Sequence, residues 1–363
     1  MLPVRPFLNT FEAYSWEPST AEIAKQYGLN PNEIVRMDLN TSPFQPTAWL
    51  KKLSSKLSST QVQLYPDTSY REFRENVSAY TGRSMDEILV GNGGDECLEI
   101  IAQTFLEKGR KAVMSSPSYS YFRVCSEIMG AEVVRIPRKH DFSDDVESIL
   151  EAVDSSTGVI FLCSPNNPTG NVTPINVVKK IVSQVKCSVV VDEAYFEYCG
   201  QTCTSLIDSY PNLIVVRTLS KAFSLAGARV GYALAAEETV KHLNKVRPPN
   251  SLSVISLELA NTALKNIAQV RKWAQKVVEE RNRLARQISS LDGVKVINTE
   301  ANFLLLIFDS NQADKVYYEL MKRGFVVRNL SSVIAGGLRV TVSTPRNNQR
   351  FLKALEEKAL GGL

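Results

Sequence analysis

The 363-residue chain is predicted to fold as an α/β protein, with a large domain on a mostly parallel, helix-covered sheet and a smaller α+β domain behind it. Three observations predict this. Between residues 88 and 235 short β-branched runs alternate with helical segments, as strands joined by crossover helices do. The runs are continuously apolar rather than alternating, the pattern of strands covered on both faces. After residue 245 the order changes to short strands interleaved with longer helical stretches, which reads as α+β. At roughly 150 residues per domain, the length calls for two such units.

The first ~35 residues, rich in Pro, Asn and Tyr, are expected to pack on the small domain or on a partner subunit. The large domain is placed at residues 36–245. Its strand ILVG is followed by helical DECLEIIAQTFL, KAVMSS by YFRVCSEIMG, AEVVRIP by SDDVESILEAV, and GVIFLCS by INVVKKIVSQV; then come the strands CSVVVDE, LIVVRT and ARVGYALA. RPPNS breaks the chain, and the small domain is placed at residues 246–363. It opens with an amphipathic helix from Ile267 through Arg286. GVKVIN, NFLLLIF, FVVRNL and LRVTVST follow as strands, with helical KVYYELMKRG among them and a terminal helix. No internal repeat or low-complexity segment interrupts this order.

Composition narrows the function. A hydrophobic content of 44% with 22% charged residues is that of a soluble globular protein. The formal net charge is +4, and no run of like charge is long enough to follow a nucleic-acid backbone, so no nucleic-acid partner is expected. MLPVRPFLNTFEAYSW lacks the apolar core of a signal peptide, and the runs in CSVVVDEAY and ANFLLLIF are too short to cross a bilayer. A cytoplasmic protein with no membrane partner is expected. Cys97, Cys125, Cys163, Cys187, Cys199 and Cys203 lie far apart and read as free thiols. Neither they nor His140 and His242 have zinc-ligand spacing, so no metal is expected.

Four stretches carry chemistry where strands give way to loops or helices, and each alone has a structural explanation. GNGGDECLEI follows a strand and opens a helix; its glycines let the backbone approach a ligand closely, and free amides at a helix start suit a phosphate. It also suits a tight turn, with Asp95 and Glu96 answering the helix dipole. SPNNPTG presents Asn166 and Asn167, as turn residues or as ligands for a substrate oxygen. CSVVVDEAY runs a buried strand into Asp192 and Glu193, where a carboxylate caps a helix or meets a cation brought by a ligand. RTLSKAFSLAGARVG sets Lys221 among small and apolar residues. Lost hydration there lowers an amine's pKa and frees it for carbonyl chemistry, while Thr218, Ser220 and Arg229 suit phosphate oxygens. One ligand fits all four: pyridoxal phosphate. Its aldehyde suits Lys221, its ring nitrogen Asp192, its ring hydroxyl Asn167 and Tyr195, and its phosphate Gly94, Asp95, Thr218, Ser220 and Arg229. Tyr119, in SSPSYSYF, supplies a stacking face.

These motifs, in order from DLNTSPF and YPD through GNGGDE, SPNNPTG, VDEAY, TLSKAFSLAGARVGY and ANF to GGLRVTVS, resemble the fold type I pyridoxal phosphate-dependent aminotransferases, and among them the histidinol-phosphate aminotransferase family, over nearly the whole chain. The resemblance implies that Lys221 joins the cofactor as an imine and, once freed, moves the proton in a ping-pong reaction. Asp192 keeps the ring nitrogen protonated, and Tyr195 and Asn167 hold the ring hydroxyl. It also implies a homodimer in which Tyr65 reaches the cofactor phosphate of the other subunit. Gly94 stands where many members of the family carry serine, which removes a hydroxyl from the phosphate's surroundings.

For the substrate, Arg328 and Arg339 match arginines that in the family face its anionic end, and Tyr14 matches an N-terminal substrate-contacting tyrosine. An arginine fork binds carboxylate or phosphate alike, so one site can take histidinol phosphate and glutamate in turn. An aromatic amino acid aminotransferase and a threonine-phosphate decarboxylase share nearly every motif. Outside catalysis, a pyridoxal phosphate sensor or a nucleotide binder built on GNGGDE are the alternatives.

Overall fold

The continuous apolar runs become the inner strands of a seven-stranded sheet in the computed structural model, which describes residues 4–13 and 16–356. Its strands in chain order are β1 (Val35–Met37), β2 (Ile88–Gly91), β3 (Lys111–Ser116), β4 (Glu132–Pro137), β5 (Thr157–Cys163), β6 (Ser188–Asp192), β7 (Leu213–Thr218), β8 (Gly231–Ala235), β9 (Val294–Ile297), β10 (Phe303–Phe308), β11 (Phe325–Asn329) and β12 (Gly337–Thr341). The large sheet runs β2-β8-β7-β6-β5-β3-β4. Every neighbouring pair from β7 to β4 is parallel; β8 alone runs antiparallel to its neighbours β7 and β2. The reason is the connection. Residues 219–230 contain one short 3-10 turn rather than a crossover helix, so the chain returns from the end at which β7 left it.

The expected two-sided burial is seen residue by residue. Val189, Val191, Leu213 and Val215 enter the core on one face, while Val190, Ile214 and Val216 enter the core on the other.

A five-stranded sheet, β1-β11-β12-β10-β9, is antiparallel except for the β1–β11 pair. Its core takes Ile23 from the helix Thr20–Tyr27, Val316 and Leu320 from the helix Ser310–Lys322, and Phe351 from the helix Pro345–Ala354. The packing departs from the expected limits at two places. β1, a three-residue strand too short for periodicity to reveal, takes Val35–Met37 into the small sheet rather than opening the large domain. The helices Val254–Leu264 and Ile267–Ile288 do not belong wholly to the small domain either. Leu259, Ala263, Val270 and Val277 pack into the large-sheet core, and Leu284, Ala285 and Ile288 reach the small one. Among the described residues no helix is long and apolar enough to cross a membrane.

Candidate active site

The carboxyl ends of β2, β3, β5, β6 and β7 open into one cavity, closed from the other side by Arg328 of β11, Arg339 of β12 and the segment at Trp16 and Glu17. Strand ends of this kind are where an open α/β sheet presents loops to a ligand.

β2 passes through Asn92 into the helix Gly93–Phe105, and the Asn92 side chain caps no amide. The first-turn amides are therefore left to a ligand, at the positive end of the helix dipole. Packing here is close. A Cβ on Gly231 would lie 2.4 Å from the carbonyl carbon of Gly93, and one on Gly93, whose φ is +83°, would lie 2.6 Å from Arg229 Nη2. Gly94 is different, since the nearest atoms to a Cβ there are 3.7 Å and 3.8 Å away, on Val216 and Thr218. The Asp95 carboxylate accepts from Tyr119 Oη at 2.8 Å and from Arg229 Nη2 at 2.9 Å, which holds that guanidinium beside the helix start.

At the end of β7, Thr218 and Ser220 are buried, with Thr218 Oγ1 donating to Ser220 Oγ at 2.9 Å. Lys221 Nζ lies 5.8 Å from the Tyr195 ring centre and donates to the Leu39 carbonyl at 3.3 Å. Burial, helped by the nearby Arg339 charge, pushes its pKa down from the usual 10.5 to about 8. At the end of β6, Asp192 is buried and accepts from Ala194 N at 3.0 Å. Burial pushes its carboxyl up to about 7 although that bond works the other way. Such a carboxylate is held ionised by a cation that a ligand supplies. Tyr195 packs edge-on against Phe303 with ring centres 5.4 Å apart, and its Oη accepts from Asn40 Nδ2 at 2.9 Å. The hydroxyl proton is thereby free to donate elsewhere.

The two asparagines of SPNNPTG divide the work. Asn166 is buried and fixes the loop: its Oδ1 accepts from Ser118 Oγ at 2.7 Å and its Nδ2 donates to Thr169 Oγ1 at 2.7 Å. Asn167 lines the cavity and accepts from Arg339 Nη1 at 2.5 Å, which leaves its amide N–H groups as donors. Glu193, consecutive with Asp192, is turned away from the cavity onto Arg217.

Arg328 and Arg339 stand directly opposite each other across β11 and β12. Like charges so placed repel, and counter-groups are needed. Arg339 donates to the Asp38 carbonyl and to Asn167. Arg328 faces Glu17 at 3.5 Å, and Glu17 is itself held by Tyr317 Oη at 2.5 Å and Asn329 N at 3.3 Å. Four guanidiniums and an amine line the cavity against Glu17, Asp38, Asp95 and Asp192; with Arg217 paired to Glu193 and Asp38 to Arg36, the rest suit a ligand with more than one anionic group.

The fold thus brings Gly94, Asp95, Tyr119, Asn167, Asp192, Tyr195, Thr218, Ser220, Lys221, Arg229, Arg328 and Arg339 to one cavity. Tyr65 is 83% exposed and lies outside it. Tyr14 lies outside the described residues. Trp16, Glu17, Asp38, Leu39 and Asn40 line the cavity without having been singled out. Of these, Asn40 is the most connected. It is buried with φ +53°, its N–H donates to Thr341 Oγ1 at 2.9 Å, and its carbonyl accepts from Asn302 Nδ2 at 3.0 Å. DLNTSPF carried a resemblance but no role for this residue; an asparagine closing the alternating VRMDL, able to take a left-handed backbone, was the available signal.

Residues 25–355 match the family described as aminotransferase class I and II. The chain is 39% identical over 333 residues to a histidinol-phosphate aminotransferase of Thermoanaerobacter pseudethanolicus, covering 90% of this chain and 93% of that protein. It is 38% identical over 326 residues to one of Caldanaerobacter subterraneus subsp. tengcongensis, covering 89% and 92%. Among solved structures, its fold is similar to the histidinol-phosphate aminotransferase of Sinorhizobium meliloti in complex with pyridoxal-5'-phosphate, with a TM-score of 0.90 at 24% identity, covering 100% of this chain and 99% of that one.

Proposed function

We propose a reaction from one premise: the chain belongs to the aminotransferase class I and II family. The proposed reaction is transfer of the amino group of histidinol phosphate to 2-oxoglutarate, with pyridoxal phosphate as cofactor, as a step of histidine biosynthesis in the cytoplasm. The observation that carries it is the meeting, in one cavity, of a Lys221 amine pushed down to about 8 and a buried Asp192 carboxyl pushed up to about 7. Those two groups fit an aldehyde and a ring nitrogen that becomes a cation. Uncapped first-turn amides, Arg229, Thr218 and Ser220 fit the phosphate, and Tyr119 the ring face.

When bound, the cofactor supplies the electron-withdrawing ring that makes a proton beside an amino group acidic. The residues do the rest. Lys221 Nζ, about a tenth unprotonated at pH 7 where an ordinary lysine has well under a hundredth, takes that proton from the substrate carbon and returns it as a general acid. Asp192 holds the ring nitrogen in its cationic form by charge. Tyr195 Oη and the Asn167 amide donate to the ring oxygen, each already oriented by a neighbour, Asn40 and Arg339 respectively. Arg339 and Arg328 bind the substrate's anion, each charge-assisted bond contributing roughly 1.5–3 kcal/mol. Because amino donor and keto acceptor occupy the same guanidiniums, they bind in turn rather than together, as a ping-pong reaction requires.

We further infer a homodimer in which Tyr65 reaches the partner's site. The supporting observation is an exposed apolar stretch, Val62, Leu64 and Tyr65, which a second copy would bury.

The test is borohydride reduction of protein incubated with pyridoxal phosphate, followed by peptide mapping and a substrate panel. The expected outcome is an adduct on Lys221, glutamate released with histidinol phosphate as donor, and turnover lowered more than about a thousandfold by Lys221→Ala. No adduct on Lys221, or faster turnover of phenylalanine or threonine phosphate, overturns this reading.

A further inference from the structure

Where Arg217 reaches the cavity lining, a buried charged cluster extends behind it that the reaction above does not use. The β6–β7 ladder ends at the Asp192–Val216 pair, followed by one last main-chain bond from Glu193 N to the Val216 carbonyl at 2.8 Å. Past that point the two chains part. One leads to Tyr195 and the other to Thr218, Ser220 and Lys221; Asp192 is the last residue of the β6–β7 ladder, while Thr218, two residues past Val216, pairs with Gly231 of β8 instead.

What joins these ends is a side-chain pair. Glu193 and Arg217, both nearly inaccessible to solvent, form a forked contact with Nε and Nη2 at 3.0 Å and 2.9 Å from the same carboxylate oxygen. The Glu193 carboxylate also accepts from Cys203 N at 2.6 Å and Thr202 Oγ1 at 2.8 Å; Arg217 Nη2 donates to Thr202 Oγ1 at 2.7 Å, and its guanidinium carbon sits 3.7 Å from the Phe196 ring centre. A second carboxyl, the half-buried Glu197, adjoins them and accepts from Tyr80 Oη at 3.1 Å; desolvation pushes it up to about 7. A buried ion pair adds little stability over an apolar pair of equal volume, because desolvating both charges offsets their attraction. Stability therefore does not account for it. Its place does, since Glu193 follows Asp192 directly and Arg217 directly precedes Thr218.

We propose that Glu193 and Arg217 are positioning residues, a buried clasp that holds the ends of β6 and β7 together beyond their ladder and so fixes Asp192 relative to Thr218 and Lys221. Resting on the reading under Proposed function, the clasp sets how strongly the Asp192 carboxylate acts on a ring cation without touching the ring.

The test uses the double variant Glu193→Gln/Arg217→Met, which removes both charges at similar volume, and Thr202→Val, which keeps both charges and removes the hydroxyl that bridges them. Each is reconstituted with pyridoxal phosphate beside the parent protein, and the pH midpoint of the visible absorbance change, the melting temperature, kcat and KM are measured. In the double variant the midpoint is expected to move by about one pH unit and kcat to fall about tenfold, with KM for the amino donor within about twofold. Thr202→Val moves the midpoint in the same direction by less, and decides the matter alone if the double variant does not fold. Unchanged midpoint and kcat, whatever the melting temperature, reduce the pair to a structural contact and overturn the proposal. A parent that takes up no pyridoxal phosphate overturns the reading under Proposed function first, and the clasp's role with it.

Discussion

On the β5–β7 side of the cavity each polar group sits at or just past the end of a strand buried on both faces; on the β11–β12 side two guanidiniums oppose each other and one takes its counter-charge from Glu17 in the N-terminal segment. The first wall cannot adjust without disturbing close-packed cores above and below the sheet. The second is held by side-chain contacts such as the Arg328–Glu17 pair, which a ligand's own anion can replace. A site that keeps one cofactor fixed while exchanging two chemically different substrates needs both kinds of wall.

The comparison is broken most severely on the rigid wall. Asp192→Asn keeps the shape and removes the charge, and is expected to lower kcat by roughly 10²–10³-fold with little change in KM. It also carries a pH signature. Asp192 sits at about 7 in the folded chain against an ordinary 3.8, so the folded state binds the extra proton and the cofactor-free protein loses stability as pH rises from about 4 through 7. Denaturant titrations across that range should give a shallower slope in the variant, with Glu197, also pushed up to about 7, providing what remains.

A smaller effect separates the two arginines of the adjustable wall. Arg339→Met should raise KM for the phosphorylated donor by roughly 10–100-fold, because its guanidinium also orients Asn167. Arg328→Met should raise it by about tenfold or less, since Glu17 already balances part of its charge. Equal losses from the two would mean that the walls do not differ as described. The smallest effect belongs to Gly94→Ser. Space exists for the side chain, with nothing nearer its Cβ than 3.7 Å, so the added hydroxyl should tighten cofactor binding a few-fold in equilibrium dialysis.

How much of this was legible in the sequence follows the same division. The β5–β7 wall was readable because its groups lie at or just past continuous apolar runs, so Asp192 and Thr218 announce themselves as polar residues where the apolar pattern stops. Arg328 and Arg339 needed a resemblance, because an arginine on a short strand reads equally as a surface residue. Glu17, Asp38 and Asn40 were not legible as site residues at all. The contacts that bring them to the site are with distant residues, as in the Asn40–Tyr195, Asn40–Thr341 and Glu17–Tyr317 bonds, and no local period encodes such a meeting. β1 escaped for a related reason, its pairing with β11 being long-range.

The helix Ile267–Ile288 gives the molecule its mechanics. At 22 residues it is a rod about 33 Å long. One end is gripped by the core of the large sheet and the other by the core of the small one, and near the second grip Arg281 is pinned to the Ala301 carbonyl at 3.0 Å and Glu280 to Asn348 at 2.9 Å. A shaft anchored at both ends twists and tilts but does not fold in the middle. A swing of β11 and β12 toward the cofactor wall would turn about that axle, carrying Arg328 and Arg339 together.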